Sequence, residues 1–142
     1  MTTTRVVMCQ VTPQPLSAAD HDRAVATSEA GAIATFVGVV RDHDHGRPVV
    51  VLDYEAHPSA PAILQDVLAR FSKTSRCAAL AVSHRTGSLQ VGDAALVVSV
   101  SSAHRGVAFE ECAQIVDLVK EHLPVWKHQF FADGSDEWVN CA

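Results

Sequence analysis

The chain has 142 residues, 48% of them hydrophobic and 19% charged, with a formal net charge of −5. That length and balance predict a single domain over residues 1–142 with a sizeable core. There is no basic surplus to neutralise phosphates and no apolar run near the ~20 residues that span a bilayer, so neither nucleic acid nor membrane is expected as a partner. Met1-Thr2-Thr3-Thr4-Arg5 lacks a charged-then-apolar targeting pattern, which predicts a cytoplasmic protein. Cys9, Cys77, Cys112 and Cys141 form no CxxC pair and are expected as free thiols, with Cys112 in the core.

In chain order, Arg5 to Val11 is short and β-branched, a first strand ended by Pro13 and Pro15. Ser17 caps a helix expected to run to about Ser28, with Asp20 and Asp22 favouring its positive end. Ala32 to Arg41 is almost continuously apolar, which predicts a strand covered on both faces. Residues 42–47 form a polar turn, and Pro48 to His57 runs back as the second arm of a hairpin with a wide loop. Pro58 to Ser72 reads as a helix with Ala62, Ile63, Val67, Leu68 and Phe71 on one face. Ala78 to Arg85 is a strand, residues 89–92 a short connection, and Ala94 to Ser102 another strand. A helix follows from about Gly106 to His122, with Phe109, Cys112, Val116, Val119 and Leu123 as its buried stripe. Glu110, Glu111, Gln114, Asp117 and Glu121 are assigned to its wet face. Val125 to Phe131 and Glu137 to Val139 complete the order β-α-β-β-α-β-β-α-β-β, a mixed, largely antiparallel α+β domain.

Candidate chemistry is mostly basic. Pro124 must turn the chain between Lys120, at a helix end, and Lys127, in a strand, so the two amines can fold back toward one point. Two ammonium groups in a half-dry pocket repel, which favours releasing a proton from one of them. The alternative is two solvated surface lysines. Ser101-Ser102-Ala103-His104-Arg105-Gly106 joins a strand to a helix, where backbone N–H groups and Arg105 can receive an anion. A helix merely capped by Ser102 is the alternative there. Val39-Val40-Arg41 ends an apolar strand in a charge, either solvated or a ligand contact. His43-Asp44-His45 offers too few ligands for a structural metal and reads as a polar loop. GxSxG and P-loop motifs are absent. Cations gathered in an acidic chain point to a small anionic ligand.

Five segments then carry a resemblance. They are Gly31 to His43, Leu52 to Pro58, His84 to Asp93, Ser101 to Arg105, and Val119-Lys120-Glu121-His122-Leu123-Pro124-Val125-Trp126-Lys127. In this order they resemble the catalytic (large) subunit of molybdopterin synthase, over about residues 5 to 139. The resemblance implies an α/β-hammerhead type of fold with an added antiparallel sheet. It implies sulfur transfer to cyclic pyranopterin monophosphate, forming the dithiolene of molybdopterin. The sulfur donor would be a ubiquitin-like small subunit bearing a C-terminal Gly-Gly thiocarboxylate, in a heterotetramer built on a homodimer of the large subunit. No cofactor or metal is expected for the transfer. Lys120 and Lys127 would be catalytic. The implied substrate-binding set is Val39, Val40, Arg41, His104, Arg105, Lys120, Lys127, His128 and Gln129. One departure concerns the segment after Trp126: the family often has Lys-Lys-Glu or Lys-Arg-Glu where this chain has Lys127-His128-Gln129, so an acid beside the lysine is missing. Two other readings compete: a non-catalytic scaffold for a ubiquitin-like tail, and a phosphoester hydrolase using His104.

Overall fold

A computed structural model describes residues 3–140, Asn140 by its backbone alone; Cys141 lies outside this range. Two blocks of β-branched sequence set the first sheet. β1 (Arg5–Thr12) lies parallel to β5 (Ala79–Arg85), which pairs antiparallel with β7 (Ala94–Ser102), which pairs antiparallel with β2 (Ala32–Val39). α2 (Ala60–Thr74) and α3 (Arg105–His122) cover one face of this sheet, and α1 (Ala18–Val25) covers the other. Leu64 and Leu68 of α2 and Ala108, Cys112, Ile115 and Val119 of α3 meet Leu80, Val82, Val98 and Val100. Val25 meets Ala79 and Ala81 on the opposite side. The two inner strands are therefore buried on both faces, as their unbroken apolar runs require.

The second sheet is built around β4 (Arg47–Ala56). β4 pairs with β3 (His43–Asp44), β6 (Gly87–Gln90) and β8 (Val125–Phe131), and β8 pairs with β9 (Asp136–Asn140). Among the described residues the order is mixed α+β with three helices and two sheets, as expected, but with two additional short strands. Residues 42–47 are no wide loop. His45 and Gly46 both take positive φ, 50° and 76°, and close a two-residue turn that pairs β3 with β4. Residues 87–90 form a strand where a connection was expected, because the open flank of β4 offers them a hydrogen-bonding ladder.

β2 and β4 do not pair with each other; they belong to different sheets. Nor is β2 covered on both faces. It is an edge strand, and Ile33, Thr35, Val37 and Val39 alternate outward. α1 stops at Val25, capped at its start by the Ser17 hydroxyl accepting from the Asp20 N–H at 3.1 Å. The buried stripe of α2 centres on Ala60, Leu64 and Leu68, while Ala62 is exposed. In α3, Cys112, Val116 and Val119 are buried as expected, but Phe109 is 68% exposed because it faces past the open edge of β2. Glu111 is not on the wet face. It is buried and accepts from the Ser75 hydroxyl and, at 2.9 Å, from the Arg76 N–H.

Candidate active site

The two sheets meet at the ends of β2, β5 and β7. The rim there is made by Gly38 and Val39 of β2, His84 of β5, Ala95 and Leu96 of β7, and Tyr54 of β4. Lys120 enters from the last turn of α3, and Lys127 from β8. Leu123 closes α3 by donating its N–H to the Val119 carbonyl, and Pro124 turns the chain directly into β8. The two lysines thus line one cavity of about 250 Å³. The expected convergence is what the chain adopts.

A smaller cavity of about 70 Å³ continues from it, sharing Val39, Tyr54 and Lys127. It adds Val40, Arg41, His43, Asp44, Leu52 and Gln129. The cross-strand register explains which β8 residues take part. Lys127 lies opposite Tyr54 and Gln129 opposite Leu52, so all four side chains share one face of the sheet. His128 lies between them and points to the other face. There its Nε2 is 2.6 Å from Asp136 and its ring stacks on Trp138 at 4.1 Å. Of the expected set, Val39, Val40, Arg41, Lys120, Lys127 and Gln129 are therefore brought together, and His128 is not.

His104 and Arg105 are also elsewhere. They open α3, exposed, while Lys120 closes it, fifteen residues and roughly 22 Å along the helix axis. Ser102 does not cap that helix; its hydroxyl donates to the His104 carbonyl at 2.6 Å. The hydrolase reading loses support here, since His104 lines neither of the two joined cavities.

Two residues in the groove, His84 and Tyr54, were not singled out from sequence, and a third was read only as part of a polar loop. His84 is 1% exposed and packs edge-on against Tyr54 with ring centroids 5.0 Å apart. Its Nδ1 lies 2.7 Å from the Arg85 carbonyl, which can only accept, so Nδ1 carries the proton. Burial above all, with Lys120 adding to it, pulls its pKa down to about 4. His84 is therefore neutral at pH 7, with Nε2 as an acceptor. A polar residue at the end of an apolar strand was the available signal. Asp44 is the third, reached through the tight turn. Its carboxyl is held below the usual carboxylate range, first by the Gln129 amide and then by the cations His45, Lys127 and Arg41.

Among the described residues, the thiols stand apart from this groove. Burial raises the Cys9, Cys77 and Cys112 thiols, Cys77 to about 12, and none of the three lines it. What the groove holds is a pair of amines, a guanidinium at its mouth, a neutral imidazole and one carboxylate. It can bind an anion and pass a proton.

Comparison with known proteins shows the family. The family model described as "MoaE protein" matches residues 11–122. The Molybdopterin synthase catalytic subunit 1 of Mycobacterium tuberculosis is 42% identical over 134 residues, covering 92% of this chain and 89% of that protein. The Molybdopterin synthase catalytic subunit of Bacillus subtilis is 36% identical over 131 residues, covering 92% and 83%. The crystal structure of molybdopterin synthase from Staphylococcus aureus superposes with a TM-score of 0.83 at 27% identity, covering 92% of this chain and 95% of its own. A protein–protein complex of subunits 1 and 2 of molybdopterin-converting factor from Helicobacter pylori shares the fold, with a TM-score of 0.71 at 16% identity. The chain belongs to the MoaE family, the catalytic subunits of molybdopterin synthase, enzymes of molybdenum cofactor biosynthesis.

Proposed function

We propose that this chain transfers sulfur to cyclic pyranopterin monophosphate, taking it from a thiocarboxylate on the Gly-Gly tail of a ubiquitin-like small subunit. The observation that carries this reading is the convergence of Lys120 and Lys127 on one groove beside Arg41. No described thiol lines the groove, which supports a sulfur brought in by a partner. Each transfer joins the thiocarboxylate sulfur to a pterin side-chain carbon and expels an oxygen, which must take a proton. Water then cleaves the resulting thioester, leaving the sulfur on the pterin and a carboxylate on the tail. One lysine donates the proton, and the second ammonium stabilises the oxyanion and the incoming thiocarboxylate. No step changes an oxidation state, so no redox cofactor is required.

The two-subunit assembly of the Helicobacter pylori complex is carried over here as part of the proposal, as is a cytoplasmic location. No helix among the described residues is long and apolar enough to cross a membrane. The assembly is a homodimer of this chain with one small subunit at each end. β2 and α3 run in the same direction, from the His104 end beside Ala32 to the Lys120 end beside Val39. Their open flank carries exposed Ile33, Val37 and Phe109. A two-fold axis across the middle of that flank puts one protomer's His104 and Arg105 against the other's lysine groove. That arrangement supplies the phosphate contacts that one chain alone does not bring together.

The test is reconstitution with a thiocarboxylated small subunit and the cyclic precursor. Lys120→Ala and Lys127→Ala are each expected to lower product formation by roughly 10²-fold or more. Wild-type rates in both variants would remove the lysines from the chemistry.

A further inference from the structure

Resting on that reading of the groove, we propose that Asp44 is the positioning carboxylate for Lys127 and Arg41, replacing from the β3 hairpin the acid that the family often carries at the place of Gln129. Gln129 is 2% exposed, and a buried amide must find partners. Its Nε2 donates to Asp44 Oδ2 at 2.8 Å, across 85 residues of sequence. The other carboxylate oxygen takes Arg41 Nη2 at 3.4 Å and has His45 Nε2 at 3.8 Å. The Asp44 side chain is only 17% exposed, and it lines the same small cavity as Lys127 and Gln129.

The pairing explains the sequence departure after Trp126. A glutamate at 129 would set two carboxylates at hydrogen-bonding distance, where one must give up its charge. With an amide at 129, a single ionised acid is kept, and it sits on the hairpin instead of on β8. The two-residue turn at His45-Gly46 fixes the register that brings Asp44 inward. The hairpin is therefore part of the site.

The proposal is tested with four proteins in the reconstituted enzyme: wild type, Asp44→Asn, Gln129→Glu, and the double variant. Each single change is expected to lower kcat roughly tenfold, by removing or crowding the one carboxylate. The double variant moves the acid back to β8 and is expected to return within about threefold of wild type, a coupling that independent sites do not show. The charged and titratable groups around Lys127 are Asp44, Arg41, His43 and His45 from the hairpin side, Tyr54 from β4, His84 from β5 and Lys120 from α3. Loss of the one anion among them should shift the alkaline limb of the pH–rate profile to lower pH in Asp44→Asn, and the double variant should shift it back. A double variant as poor as the product of the two singles overturns the proposal, as does a fully active Asp44→Asn. Lys127→Ala is run alongside. If it is fully active, the reading of the groove itself fails; if it is dead while Asp44→Asn is unaffected, only the positioning role fails.

Discussion

His84 is held neutral at the head of the groove by burial and by the neighbouring Lys120 charge. An imidazole in the unfolded chain titrates near 6.5, and His84 in the folded chain near 4. Between those values the unfolded chain binds the extra proton. The stabilisation is fully present above the unfolded value and drains away as pH falls toward 4, on the order of 3 kcal/mol in all. Urea denaturation of wild type and His84→Gln at pH 7 and pH 4.5 measures it. The wild type should lose more stability than the variant on acidification, and equal losses would show that His84 is not the group responsible. The identity of this residue was plain in the sequence, but its role was not. A histidine closing an apolar strand can be a solvated end or a buried wall, and only Tyr54 from the other sheet decides which.

Among the elements, β2 and α3 carry the site and its boundary. Both were readable from local pattern, to within two residues at β2's end and one at α3's start. The junction before β2 is tight: a Cβ on Gly31 would lie 2.8 Å from the Ala103 carbonyl oxygen, in backbone that cannot swing aside. Gly31→Ala is expected to cost about 1–3 kcal/mol, measured as a lower urea midpoint, because β2 or the segment before α3 must shift. An unchanged midpoint would mean that this contact relaxes freely. The errors at this scale share one cause. A run of apolar residues shows that a strand wants cover, but not whether the cover comes from its own chain. β2 has its apolar outer face open, and Phe109 of α3 stands beside it. Glu111 is the opposite case, a carboxylate drawn inside because the turn after α2 offers it the Ser75 hydroxyl and the Arg76 N–H.

For the whole molecule, the separation of His104 and Arg105 from the lysines predicts a site shared between two copies. Mixing Lys127→Ala with Arg105→Ala, each inactive alone, tests this. Random exchange of protomers in a two-fold dimer leaves about a quarter of shared sites intact, so roughly a quarter of wild-type product formation should return. No recovery would place Arg105 outside the reaction or within its own chain's site. Residue chemistry and local order were legible along the chain: a proline between two lysines, motifs in a family's order, and strand and helix periods. Each depends on neighbours a few positions away. The partition into two sheets was not legible, because strand pairing is set by long-range register. That register aligns Lys127 with Tyr54, turns His128 away, and lets a two-residue turn deliver Asp44 to Gln129. The pair of lysines was written in the sequence; the carboxylate that shares a cavity with one of them came only from the fold.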